Sequence, residues 1–265
     1  LGVNKLLKFF HKYDRKISLR QMGQVAQVKS IPNFIEQYKN QDVKKLRIDY
    51  KKFSSFSILD DLYPERLREI YNPPVLIFYQ GNIDLLKNPK LAFVGSRLAG
   101  QSGIKAVQKI ITELNQSFTI VSGLAKGIDT ASHLSAIKTK TPTIAVIGTG
   151  LDIFYPLENR KIQEYLAKNQ LVLSEYSLGE KPLKYHFPER NRIIAGLSRG
   201  VVVVEAKLRS GSLITCERAL EEGRDIFAIP GNIADGTSDG CNHLIQQGAK
   251  LVYQAQDILE EYLYN

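Results

Sequence analysis

Short apolar runs recur along the chain, each stopped by glycine or serine, and helical patterns fill the intervals between them. Leu91 to Val94 halts at Gly95-Ser96-Arg97, and Phe118 to Val121 halts at Ser122-Gly123 with Lys126-Gly127 behind it. Residues 102–114 between them carry apolar positions at helical spacing. Strand, glycine turn, helix, strand, glycine turn is the order of a βαβ unit in a parallel sheet. Further runs at 143–150, 171–176, 200–206 and 226–231 alternate with helical text at 128–138, 157–168, 191–198 and 212–222. Val201 to Val204 are four consecutive valines, which suit a strand buried on both faces, so that strand is placed centrally. The pattern predicts an α/β fold with a doubly wound, mostly parallel sheet.

Ahead of the sheet the pattern changes. Residues 1–50 read as short helices, with Leu6, Leu7, Phe9, Phe10 and Tyr13 on one face and Val25, Val28, Ile31, Phe34, Ile35 and Tyr38 in a second series. Ser30-Ile31-Pro32 reads as a turn into a helix, since proline is tolerated in a first turn. Pro64, Pro73 and Pro74 break helices between 54 and 81, which predicts a linker and then a short strand at 75–79. Two domains are expected: a small all-α domain over 1–50 and the sheet domain over 54–265. Asp60, Asp61 and Glu65 in the linker fit the capping of a short helix better than a metal cluster.

Charge sharpens this division. The net charge is +9, and residues 1–52 alone hold 13 Lys and Arg against 4 Asp and Glu. Residues 53–265 balance at 23 of each, and within them 217–265 hold 3 basic against 9 acidic residues. A basic head suits an anionic polymer or membrane surface, although the same lysines and arginines equally describe a solvated helical face. The acidic tail repels phosphate and is left for a protein partner. No apolar run is long enough to cross a bilayer, and no signal peptide is read. The chain begins at Leu1 rather than methionine, so a preceding piece is expected. Cys216 and Cys241 are too few and too isolated for a disulfide framework or zinc site, and fit reduced thiols in a cytoplasmic protein.

The candidate chemistry lies at the strand ends. In parallel sheets ligands bind outside the carboxyl ends of the strands, where glycine turns and helix N-termini favour anions. Gly95, Ser96 and Arg97 close the first run; Ser122, Gly123, Lys126 and Gly127 close the second. Ser210, Gly211 and Ser212 open a helix after the central strand, as an anion nest would. The stretch 179–199 interleaves Lys181, Lys184, Arg190, Arg192 and Arg199 with Tyr185, His186 and Phe187. Cations among aromatics suit single-stranded nucleic acid, where rings stack on bases and cations meet phosphates. The plainer alternative is that Phe187 and Pro188 cap the core while the arginines pair with acids. His133, within a helical stretch, reads as a structural histidine.

Two functions from different classes fit. One is a non-catalytic binder of single-stranded nucleic acid. The other is a Rossmann-like enzyme cleaving nucleoside monophosphates, since SGSLITCE at 210–217 resembles a Gly-rich phosphate loop and Glu175 or Glu205 would supply a carboxylate. Against the enzyme, no GxGxxG follows the first strand, no P-loop occurs, and no nucleophile–base order or metal-ligand spacing stands out. No cofactor or metal is expected.

VGSR at 94–97, SGLAKGIDTASH at 122–133, IAVIGTGLDIFYP at 144–156, FPERNRIIAGLSRGVVVVEA at 187–206, SGSLIT at 210–215 and FAIPGN at 227–232 together resemble the DNA-processing protein A (DprA/Smf) family. The resemblance covers roughly 54–250. It implies an extended Rossmann-like domain holding single-stranded DNA in a basic pocket at the strand ends. It also implies transfer of that DNA to a RecA-type recombinase during natural transformation, and a homodimer. The basic helical head is similar to the sterile-alpha-motif-like (SAM-like) domain of some members. By position, Arg97 and Lys126 match the family's phosphate-facing cations, Phe187, Arg190, Asn191 and Arg192 fall in its pocket-closing loop, and Ser210 to Ser212 match its last turn. Some members carry a C-terminal winged helix; with none here, any further DNA contact is expected from 1–52. Leu244, Ile245 and Leu251 in the acidic tail are expected to form a dimer or partner contact, the alternative being that they finish the core.

Overall fold

A computed structural model of the chain describes residues 5, 9, 17–40, 51–208 and 210–262. In the head, α1 (Leu19–Ala26) opens on a capping box: the Ser18 hydroxyl accepts the Gln21 N–H, and the Gln21 side chain accepts the Ser18 N–H at 2.8 Å. Helix α2 (Ile31–Lys39) starts at Ser30 with Pro32 in its first turn, as its sequence predicts. Most of the apolar face expected between Leu6 and Tyr13 lies outside the described residues.

Among the described residues the rest of the chain builds one nine-stranded sheet. Its strands are β1 (Ser54–Ser57), β2 (Leu76–Gly81), β3 (Lys90–Gly95), β4 (Thr119–Ser122), β5 (Thr143–Ile147), β6 (Leu171–Ser174), β7 (Gly200–Val204), β8 (Asp225–Ala228) and β9 (Lys250–Leu251). They lie in the order β1-β2-β6-β5-β4-β3-β7-β8-β9. Among these strands β2 alone runs against the others, antiparallel to β1 on one side and to β6 on the other. Strand β1 falls in the stretch read as linker. Its text, SSFS, has one apolar residue, Phe56, which is buried while Ser54 is exposed, as an edge strand allows.

Helices α3 (Glu65–Glu69), α4 (Gln101–Glu113), α5 (Ile128–Lys138), α6 (Arg160–Asn169), α7 (His186–Leu197), α8 (Gly211–Glu221), α9 (Asp239–Gln246) and α10 (Gln256–Leu259) cover both faces. Alternation along the strands divides the core. Leu91, Phe93, Val202 and Val204 pack with Val107, Ile110 and Ile111 of α4. Ala92, Val94, Val201 and Val203 pack with Ile193 and Ile194 of α7 and Cys216 and Ala219 of α8. The four valines of β7 are at most 1% exposed, flanked by β3 and β8 in parallel.

From β3 the chain winds outward through β4, β5 and β6, then returns to β7 on the opposite side of β3. The winding therefore reverses between β3 and β7. A crevice opens outside their carboxyl ends, because the connections there diverge in opposite directions.

Candidate nucleic-acid interface

A cavity of about 660 Å³ occupies that crevice. Its walls are the turn Gly95–Leu98 after β3, Phe187 and Asn191 of α7, and Ser210–Ser212 at the start of α8, with Lys184 and Lys207 on its rim. A smaller cavity of about 90 Å³ adjoins it, shares Arg97, Tyr155 and Phe187, and adds Lys126 and Thr149.

Close backbone approach builds the floor. A Cβ on Gly95 would strike the Val204 carbonyl and lie 2.6 Å from Ile128, so only glycine lets β3 end against β7 here. Gly127 has φ +72° and its absent Cβ leaves room for the Ser96 carbonyl, which accepts the Ile128 N–H at 3.1 Å. The first two turns are thus packed onto each other. The Ser212 hydroxyl donates to the Gly95 carbonyl at 2.9 Å and ties α8 to the same place.

Arg97 is exposed, with its guanidinium 5.5 Å from the centre of the Phe187 ring. Among the described residues no carboxylate forms an ion pair with Arg97, Lys184 or Lys207. Phe187 is half-buried and lies 5.5 Å from the Tyr155 ring. At the start of α8 the Gly211 and Ser212 N–H groups have no acceptor among the described residues, and the buried Ser210 hydroxyl has no partner. Unpaired cations, an aromatic face and free N–H groups thus converge on one cavity, which equips it for anions carrying flat rings.

The start of α4 is different. Glu205, just beyond β7, accepts the Gly100 N–H at 2.7 Å and the Gly103 N–H at 3.1 Å. The anion site expected at the first βα turn is filled by the protein's own carboxylate. The exposed charge of that turn is Arg97.

Several expected contacts are corrected. Ser122 is fully buried and donates to the Phe93 carbonyl at 2.7 Å, so it joins β4 to β3 and offers nothing to a ligand. Gly123 gives its carbonyl to Arg190 at 2.6 Å, and a Cβ there would lie 2.6 Å from the guanidinium carbon. Arg190 is only 4% exposed; it also donates to the Val146 carbonyl and to Asn191 Oδ1, and burial pushes its pKa down to about 10. It braces the cavity floor rather than reaching out to phosphate. Arg192 lines neither cavity and grips both oxygens of Glu175 at 2.8 Å. Lys126 lies at the small cavity, paired with Glu158. Asp129 beneath it is buried; desolvation holds its carboxyl above the ordinary range, against the pull of Arg190. His133 is buried, bonded to the Thr143 hydroxyl at 2.8 Å, and pushed down to about 3.

The sequence also missed residues. Lys207 follows the central strand directly and would have been found by extending the strand-end rule by three residues beyond Val204. Lys184 was seen only as part of a basic stretch. Tyr155 carries no sequence signal of its own. In the tail, Leu244 and Ile245 are half-buried against the core and Leu251 is 45% exposed on edge strand β9. Of the three residues expected at a dimer or partner contact, Leu251 is thus exposed and the other two are shared with the core.

Residues 54–263 match the family described as DNA recombination-mediator protein A, and residues 1–46 match the DNA processing protein A sterile alpha motif domain. The chain is 57% identical over 260 residues to DNA processing protein DprA of Streptococcus pneumoniae, covering 98% of this chain and 92% of that one. It is 43% identical over 233 residues to the Bacillus subtilis protein of the same name, covering 87% and 75%. The solved Streptococcus pneumoniae structure superposes with a TM-score of 0.97 at 56% identity, over all of this chain and 93% of that one. The DNA processing protein A of Helicobacter pylori, whose structure concerns a unique single-stranded DNA binding mode, superposes at 0.71 with 30% identity, covering 80% and 97%. The likeness runs through the head and the sheet alike, and the chain belongs to the DNA recombination-mediator protein A (DprA/Smf) family.

Proposed function

We propose that this protein binds single-stranded DNA along the carboxyl edge of its sheet and passes it to a RecA-type recombinase during natural transformation. It works as a cytoplasmic homodimer, without turning over nucleotides. The observation that carries the DNA reading is the pairing of an exposed cation, Arg97, with the Phe187 ring at a cavity rimmed by Lys184 and Lys207. An aromatic face at such a site takes an unstacked base, which single strands offer and a duplex withholds. The single-stranded DNA binding mode of the Helicobacter pylori relative supports the same reading.

Cleavage of nucleoside monophosphates is the competing function. Both carboxylates named for it are engaged elsewhere, Glu175 with Arg192 and Glu205 with the start of α4. Gel shifts with matched single- and double-stranded DNA, over a range of salt, test the proposal. Single strands should bind more tightly, with a log–log salt slope of about −0.7 per phosphate neutralised. Equal or tighter binding of duplex at every salt, or nucleotide turnover lost on Glu217→Ala, overturns it.

A further inference from the structure

In a doubly wound sheet, the helix that follows the first strand beside the reversal of winding is where a nucleotide's phosphates dock, on N–H groups that have no partner in the helix. Here that helix is α4, and its N-terminus is taken. The Glu205 side chain comes across from the end of β7, is only 7% exposed, and offers one oxygen each to the Gly100 and Gly103 N–H groups. The helix has no capping side chain of its own at Gly100.

Three further features show that the space is shaped for this carboxylate. Glu205 has φ +49°, a left-handed backbone that a residue with a side chain seldom adopts and that the surroundings must hold in place. A Cβ on Gly103 would lie 2.6 Å from the carboxyl carbon, and one on Gly100 would lie 3.1 Å from Oε1. Among the described residues no lysine, arginine or histidine forms an ion pair with Glu205, so its recorded polar partners are those two N–H groups. The group is placed as a bound anion would be. The neighbouring cavity opens instead toward α8, where the Gly211 and Ser212 N–H groups have no acceptor among the described residues.

We propose that Glu205 is a specificity-determining residue: its carboxylate stands where a free nucleotide's phosphates would bind and keeps mononucleotides and dinucleotides off the first turn. The inference concerns which anions the sheet edge refuses and does not depend on which polymer it accepts. Exclusion works twice, because the carboxylate uses the N–H groups and repels a second anion beside them.

Inorganic pyrophosphate, titrated into the full chain by calorimetry with amide NMR in parallel, tests this. In the wild type, millimolar pyrophosphate should leave the Gly100 and Gly103 amides unmoved, any weak binding being confined to the Gly211 and Ser212 side of the cavity. Glu205→Gly removes the carboxylate and suits the left-handed backbone. It should bind pyrophosphate at least about tenfold more tightly, with those two amides moving. Glu205→Gln keeps the length without the charge and should show a smaller gain; it carries the test if the glycine variant does not fold. Pyrophosphate that moves the Gly100 and Gly103 amides in the wild type overturns the proposal. So do folded variants that bind no better than wild type, or whose gain moves only the Gly211 and Ser212 amides.

Discussion

The guanidinium of Arg97 lies 5.5 Å from the centre of the Phe187 ring, joining the turn after β3 to the first turn of α7 across the cavity mouth. The ring restrains a long side chain that would otherwise lose rotamer freedom on meeting a phosphate. A hydrogen bond to a charged group contributes about 1.5–3 kcal/mol, so Arg97→Ala should weaken single-strand binding roughly ten- to a hundredfold. Phe187→Ala removes a stacking face of about 1–3 kcal/mol per base and also frees Arg97. Because the two touch, their effects should fall short of additive in a double-mutant cycle. Lys8→Ala, in the basic head and outside the described residues, should cost less at the same salt. Fluorescence anisotropy with one labelled oligonucleotide decides it, and a larger loss for Lys8 moves the main contact to the head.

Arg190 and Arg192 stand two residues apart and should behave oppositely from the phosphate clamps that their sequence motif suggests. Arg190→Ala leaves the Gly123 and Val146 carbonyls without their donor and Asp129 without its nearby cation. Removing one member of a buried charged set typically costs about 3–5 kcal/mol, and lysine cannot restore the fork of donors. Chemical denaturation should therefore show Arg190→Ala and Arg190→Lys both strongly destabilised. Arg192→Ala should leave DNA affinity within about twofold of wild type, since its charge is already spent on Glu175. A large loss of affinity with unchanged stability in Arg192→Ala counts against this assignment.

Acid should weaken the fold through His133. Its imidazole is pushed down to about 3 by burial, with the Arg190 charge adding to the effect, while in the unfolded chain it titrates near 6.5. Between those values the unfolded state binds a proton that the native state refuses. Stability thus falls as pH drops below about 6.5, approaching about 1.4 kcal/mol per pH unit. Asp129, held above the ordinary carboxylate range, acts in the opposite sense, so wild type alone is a poor reporter. Urea midpoints from pH 7 to 5 should decline in wild type and stay flatter in His133→Leu. Equal slopes in the two proteins contradict a buried neutral imidazole.

Much of the sheet was legible because parallel strands buried on both faces leave continuous apolar text, as Val201–Val204 do. Strand β1 was not, because an antiparallel edge strand needs only one buried side chain, Phe56. The site was legible as a set of turns, since glycine is forced where β3 meets β7 and where Gly127 meets Ser96. Side-chain direction was not legible. The stretch read as a loop begins α7 at His186, five residues earlier than the periodicity indicates, with Pro188 tolerated in its first turn. Once it is helical, Phe187, Asn191 and Ile194 share the cavity face at i, i+4 and i+7. Arg192 then turns away toward Glu175. Nor does spacing reveal that Glu205, a strand away, fills the start of α4.

The tail offers the last test, of the proposed homodimer. Leu251 is 45% exposed on β9, which pairs with β8 on one side and forms the edge of the sheet on the other. Ile245 on α9 is half-buried and packs against the core. An apolar side chain at a two-fold contact is used by both protomers, so losing it weakens the pair twice over. Leu251→Arg places a charge at the edge without touching the core and should give a folded monomer with an unchanged circular dichroism spectrum. Ile245→Arg should also disrupt the pair but with lower stability, since the arginine must leave packing that contributes about 1.5–3 kcal/mol for a fully buried isoleucine. Sedimentation equilibrium with thermal melts separates the two effects. A monomeric wild type ends the homodimer proposal, and a dimeric Leu251→Arg places the contact on another surface.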